Sequence, residues 1–140
     1  EHAAPQMAAR VLNSVFEFIF CFTSEEFPKR SIKTGQDFRG TVPNIFRMNP
    51  VGKKDPLAKG HGGVFPVAFA EHFVSLFSNN SAYDPFGGSG TTLIACEKMN
   101  RKCFTMEMSL EYCDVIVQRY CNYVGSNKIK LNGQDIDWTV

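Results

Sequence analysis

The stretch SAYDPFGGSGTTLIACE, Ser81 to Glu97, restricts the fold more than any other part of the chain. A short apolar run ends at Asp84, and three glycines (Gly87, Gly88, Gly90) follow within four residues. Thr91 and Thr92 then open a run with helical character. Glycine reaches left-handed backbone and carries no Cβ, so this run turns sharply and lets a ligand approach the main chain. A strand, a bare turn and a helix start in that order form the first half of a β–α–β unit. The helix N-terminus adds N–H groups without intrahelical partners.

The flanking sequence extends the alternation. FPVAFAEHFVSLFS, from Phe65, is predicted helical, with Pro66 in the first turn and Val67, Ala70, Phe73, Val74 and Phe77 at helical spacing. Thr91–Met99 reads as a helix stopped by Asn100. KCFTMEM, residues 102–108, reads as a strand ending near Glu107. SLEYCDVIVQRYCNYVG reads as a helix capped by Ser109 and stopped by Gly125, and KIKL as a third strand. Ala3–Val11 reads as a weak helix. SVFEFIFCFTS, with Phe16, Phe18, Phe20 and Phe22 on one face and Val15, Ile19 and Cys21 on the other, reads as an interior strand. Strands alternating with helices predict an α/β fold with a parallel-rich, doubly wound sheet.

Charge is unevenly placed. The 140-residue chain carries a net charge of +1, but residues 29–59 hold eight Lys/Arg against two Asp, so that segment is +6 and the remainder −5. It is rich in Gly and Pro and lacks periodicity, which predicts a long loop over 29–60. Clustered positive charge either attracts phosphate backbones or forms a solvated surface. Five cysteines, an odd number without a CxxC, suit a reduced, cytoplasmic setting, where they act as small hydrophobes. No run is apolar enough to span a bilayer, and no metal site is expected.

The glycine turn selects among nucleoside ligands. A phosphate-binding P-loop needs Gly-Lys-Ser/Thr at the helix start, and here Gly90 is followed by Thr91. Asp84, just before the glycines, would repel a pyrophosphate and would suit a cationic amino group. Glu107, twenty residues after Gly87, can accept hydrogen bonds from two ribose hydroxyls. S-adenosylmethionine combines an ammonium, a sulfonium and a ribose without phosphate. The residues alone also admit a plain βα turn in which Asp84 caps the helix.

DPFGGSGTT resembles motif I of the amino-methyltransferases that modify DNA at adenine N6 or cytosine N4. KGHGGVFPVAFAEHFVSLFS resembles their motif X, usually His-Pro-x-x-x-Pro before a helix, and RKCFTMEMSLEYCDVIVQRY resembles their next strand and helix. Motif X directly before motif I is similar to the permuted, beta-type group, whose catalytic half precedes its cofactor half. The resemblance implies a Rossmann-like methyltransferase fold in one partial domain, residues 1–140. Residues 1–28 would belong to the catalytic half and 61–140 to the cofactor half. It implies S-adenosylmethionine held by Asp84, Pro85, Phe86, Gly88, Gly90, Thr91, Thr92 and Glu107, with His61, Phe65 and Pro66 from the motif X side. It also implies double-stranded DNA as partner, and the clustered charge of the basic loop makes Lys29, Arg30, Lys33 and Arg39 the expected phosphate contacts.

Three residues depart from the pattern: Gly62 follows His61 where proline is usual, Tyr83 replaces an aliphatic residue, and Met106 replaces a small one. The larger departure is the absence of the Asp/Ser/Asn-Pro-Pro-Tyr/Phe motif that holds the target amino group; MNPVGK, from Met48, is no substitute. The expectation is therefore a C-terminal part, or one half of a split enzyme, that is inactive without its N-terminal catalytic segment. Two alternatives stand beside it: a cofactor- or DNA-binding module without activity, and an NAD-binding domain. A homodimer is left open.

Overall fold

The computed structural model describes residues 18–22, 41–43, 45–48 and 64–139. The elements run α1 (Val67–Phe77), β1 (Ser81–Asp84), α2 (Thr91–Lys98), β2 (Lys102–Thr105), α3 (Leu110–Val124), β3 (Lys128–Leu131) and β4 (Gln134–Asp137). The expected helix Ala3–Val11 lies outside the described residues.

Helix boundaries follow local chemistry. Pro66 is the N-cap of α1, with φ −61° and ψ 145°. Asn100 closes α2 with a left-handed φ of 54°. On α3, the Ser109 side chain accepts from the Tyr112 N–H, and Gly125 ends the helix at φ 70°. Packing of α1 on α2 buries Ala70, Val74 and Leu76 from one helix and Ile94, Ala95 and Cys96 from the other. Two cations on and after α2 reach back to α1: Lys98 pairs with Glu71, and Arg101 donates to the Val74 carbonyl.

β1 and β2 pair in parallel, with Asp84 opposite Thr105. Their alternation is clear: Ala82, Asp84, Cys103 and Thr105 are half-buried, and α2 packs on this pair. Tyr83 and Phe104 point the other way and are exposed. Burial, with the Cys96 thiol alongside, pushes the Cys103 thiol up to about 12, so it stays protonated.

Three expectations need correction. KIKL is a strand, but not a third parallel one: β3 pairs antiparallel with β4 in a separate two-stranded sheet. Only Asn132 and Gly133 connect them, with φ of 52° and 84°, and two left-handed residues make a tight hairpin turn. A parallel return would need a crossover of a dozen residues or more. Trp138 moors the hairpin to α3 through its indole N–H, which donates to Gln118 Oε1 at 3.1 Å. Second, β2 stops at Thr105, so Glu107 stands two residues beyond the strand. Third, residues 18–22 of the expected interior strand are in no strand and are exposed, Phe22 at 93%. An interior strand needs ladder partners for its backbone, and among the described strands β1 pairs with β2 and β3 with β4. The rest of that segment lies outside the described residues.

Candidate cofactor-binding site

The parallel register brings the ends of β1 and β2 to one edge, and the glycine turn folds across it. The Met106 N–H donates to the Asp84 carbonyl at 3.0 Å, and the Gly87 N–H to the Met106 carbonyl at 2.7 Å. The Gly90 N–H then closes the turn onto the Gly87 carbonyl at 2.8 Å. Gly88 and Gly90 have φ of 53° and 78°, which L side chains rarely adopt. Gly87 is required for a different reason. A Cβ there would lie 2.5 Å from Thr105 Oγ1 and 3.2 Å from the Met106 carbonyl oxygen.

The two acidic residues hold the turn from either end. Asp84 Oδ1 accepts the Phe86 N–H at 3.0 Å, an Asx turn that bends the chain out of β1. Glu107 spends both oxygens on backbone: Oε2 accepts the Gly88 N–H at 2.7 Å, and Oε1 accepts the Met108 and Ser109 N–H groups at 2.8 Å each. One carboxylate thus joins the glycine turn to the start of α3. Both acids are half-buried, and so open to solvent on one side.

The other candidate residues divide. Phe86 is 86% exposed at the lip of the turn, Pro85 is exposed and Thr92 is half-buried. Thr91 is 4% exposed, and its hydroxyl turns toward Ser89 Oγ and Arg119. Phe65 and Pro66 stand at the head of α1, where the Phe65 ring lies 5.3 Å from that of Phe69. His61, Lys29, Arg30, Lys33 and Arg39 lie outside the described residues. Among the described part of the basic segment, Arg47 is exposed, and Phe46 stacks on His72 of α1 at 4.1 Å.

Sequence reasoning assigned no role to Ser89 or Arg119. The Arg119 guanidinium donates to the Ser89 carbonyl, to Ser89 Oγ at 2.9 Å and to Thr91 Oγ1 at 3.4 Å. The contact spans 30 residues and leaves no local signal. The departures at Tyr83 and Met106 are one feature, because the Tyr83 hydroxyl donates to Met106 Sδ at 2.9 Å on the exposed sheet face. Among the described residues, no group of three or more His, Cys, Asp or Glu is arranged to hold a metal, and no helix is long and apolar enough to cross a membrane.

The family model described as DNA methylase, covering N6 and N4 methyltransferases, matches residues 1–118. The chain belongs to this DNA methylase family. The match ends inside α3, before the β3–β4 hairpin. Over 86 residues, 58% of this chain and 32% of the relative, it is 40% identical to the orphan methyltransferase M.BamHII of Bacillus amyloliquefaciens. It is 30% identical over 105 residues to the type II methyltransferase M.SmaI of Serratia marcescens, covering 74% of this chain and 34% of that one. Among solved structures it is similar to the cytosine-N4-specific PvuII DNA methyltransferase, with TM-score 0.51, 26% identity, and 56% of this chain and 32% of that chain covered. The chain spans about a third of the length of these curated relatives. The α/β fold expected from the alternation of strands and helices, and the methyltransferase fold implied by the resemblance, are thereby supported.

Proposed function

We propose that this chain holds S-adenosylmethionine for a DNA methyltransferase that acts on an exocyclic amino nitrogen, N6 of adenine or N4 of cytosine. The observation that carries the reading is the pair of half-buried carboxylates, Asp84 and Glu107, at adjacent strand ends around a glycine turn without lysine. Such a site suits a ligand with a cationic amino group and a ribose and repels a pyrophosphate. When bound, S-adenosylmethionine supplies an electrophilic methyl group. Asp84 would hold the ammonium with the oxygen its Asx turn leaves available among the described residues. Glu107, half-buried and already binding three N–H groups, would accept from the ribose hydroxyls on its solvent side. The exposed Phe86 would flank the ligand.

These residues position a methyl donor and leave the target nitrogen untouched. That nitrogen's lone pair is delocalised into the base, so it needs a hydrogen-bond acceptor and a flipped-out base stacked on an aromatic ring. The family's Pro-Pro motif supplies both, and it is absent from the 140 residues. On this reading the chain works in the cytoplasm together with a segment carrying that motif. Transfer of a labelled methyl group to unmethylated DNA tests it. The expected result is no transfer by the chain alone and transfer once that segment is added in trans. Transfer by the chain alone would mean that its own residues complete the catalytic site.

Double-stranded DNA is the proposed partner of the basic segment 29–59. Replacing Lys29, Arg30 and Lys33 by Gln is expected to weaken DNA binding on all sequences and to flatten its salt dependence by about one slope unit per lost phosphate contact. An unchanged slope would identify a solvated loop instead.

A further inference from the structure

The glycine turn is held from two elements at once. Glu107, past the end of β2, takes the Gly88 N–H, while Arg119, on the third turn of α3, takes the next residue's carbonyl. We propose that Arg119 is a positioning residue of the cofactor turn: by anchoring Ser89 it selects the backbone conformation that receives the ligand. This rests on the reading of the turn as the S-adenosylmethionine site.

Three observations carry it. Ser89 lies between Gly88 and Gly90, both in left-handed backbone. Glycine has many alternatives to that conformation, so the turn needs an external reason to keep it. Arg119 supplies one by binding the Ser89 carbonyl and hydroxyl together with the Thr91 hydroxyl. All three acceptors lie around one guanidinium nitrogen, Nη1, and a lysine ammonium, one bond nearer the backbone, falls short of that position.

The second observation is burial. Ser89 and Thr91 are 5% and 4% exposed, so their hydroxyls are removed from water and depend on protein partners. They lie 3.3 Å from each other, and Arg119 reaches both.

The third is electrostatic. Thr91 begins α2, and Gly90, its N-cap, offers no side-chain cap. The N-terminal end of a helix is the positive end of its dipole, where a nearby cation is unfavourable. An acid or an apolar side chain from α3 would serve helix stability better. The guanidinium thus carries an electrostatic cost at α2, which its bonds to the Ser89 carbonyl and the two buried hydroxyls offset. A turn already held in its binding conformation spares the ligand the entropy of ordering it.

The test uses the 140-residue chain with Arg119→Met, Arg119→Lys, Ser89→Ala and the Ser89→Ala/Arg119→Met double variant. The amide resonances of Gly88 and Gly90 are followed without ligand, and S-adenosylhomocysteine affinity is measured well below each variant's melting temperature. In Arg119→Met the two glycine amides are expected to shift and to exchange faster, and affinity to fall by about tenfold. Arg119→Lys should recover little of this, and if Arg119→Met does not fold, it carries the test. The double variant should bind no more weakly than Arg119→Met alone. A purely structural arginine would lower the melting temperature and leave the folded protein's affinity unchanged; that result, with unmoved glycine amides, overturns the proposal. If the unsubstituted chain binds no S-adenosylhomocysteine, the cofactor reading fails. The amide shifts still decide whether Arg119 sets the turn.

Discussion

Replacing Gly87 by alanine should lower the melting temperature by roughly 10 °C, a loss of about 2–3 kcal/mol, and valine should do more. The reason is space and not backbone angle. An added Cβ meets Thr105 Oγ1 at 2.5 Å, Ile116 Cδ1 at 3.1 Å and the Met106 carbonyl oxygen at 3.2 Å. That carbonyl also accepts the Gly87 N–H, so the turn cannot lift off the strand end without losing the bond. Thr105 is β-branched and has little rotamer freedom with which to retreat. Its hydroxyl oxygen is buried and takes no hydrogen bond among the described residues. Thr105→Ala therefore removes the closest clash at little cost, and the Gly87→Ala/Thr105→Ala pair should regain part of the loss. Gly125→Ala is the control. That site has φ of 70° and nothing within 4 Å of a built Cβ, so the change should cost only about 1 kcal/mol. A Gly87→Ala protein that melts with the parent would mean the turn does not pack on β2.

How far such features could be read beforehand depends on whether their causes are local. Ser109, Gly125 and Asn100 act within a turn of their own positions, and the structure puts caps or left-handed residues at each. The strand–glycine–helix order of residues 81–98 was legible for the same reason. The β3–β4 hairpin also has a local cause in Asn132-Gly133, a strong turn pair that sets KIKL, a strand as expected, apart from the parallel sheet. The Phe16–Phe22 alternation shows apolarity on both faces but does not say which strand stands beside it. The contacts of Arg119 with Ser89, of Tyr83 with Met106 and of Glu107 with Gly88 join residues 19 to 30 positions apart, and only the folded chain reveals them.

The largest expected effect on ligand affinity belongs to Glu107. Glu107→Gln should weaken S-adenosylhomocysteine binding by about a hundredfold. A side-chain amide keeps one acceptor oxygen and turns the other position into a donor. If its oxygen stays on the Met108 and Ser109 N–H groups, its NH₂ faces the Gly88 N–H, donor against donor. The turn then loses a clamp and a ribose hydroxyl loses its acceptor. A hydrogen bond to a charged group contributes about 1.5–3 kcal/mol, so the ribose contact alone is about tenfold to a hundredfold, and the lost clamp puts the effect at the upper end. The variant should also melt lower than the parent, because the carboxylate ties the turn to α3. Asp84→Asn isolates charge from shape: Asn can still accept the Phe86 N–H, so the Asx turn survives, while the attraction for an ammonium is lost. Its expected loss is about tenfold, with the melting temperature nearly unchanged.

The most direct test of the site is calorimetric titration of the 140-residue chain with S-adenosylhomocysteine and, separately, with NAD. Asp84→Asn/Glu107→Gln is titrated alongside. The account predicts saturable binding of S-adenosylhomocysteine at one site, no binding of NAD, and loss of the first in the double variant while the protein stays folded. Binding of NAD in place of S-adenosylhomocysteine, or equal affinity in the parent and the double variant, would contradict it.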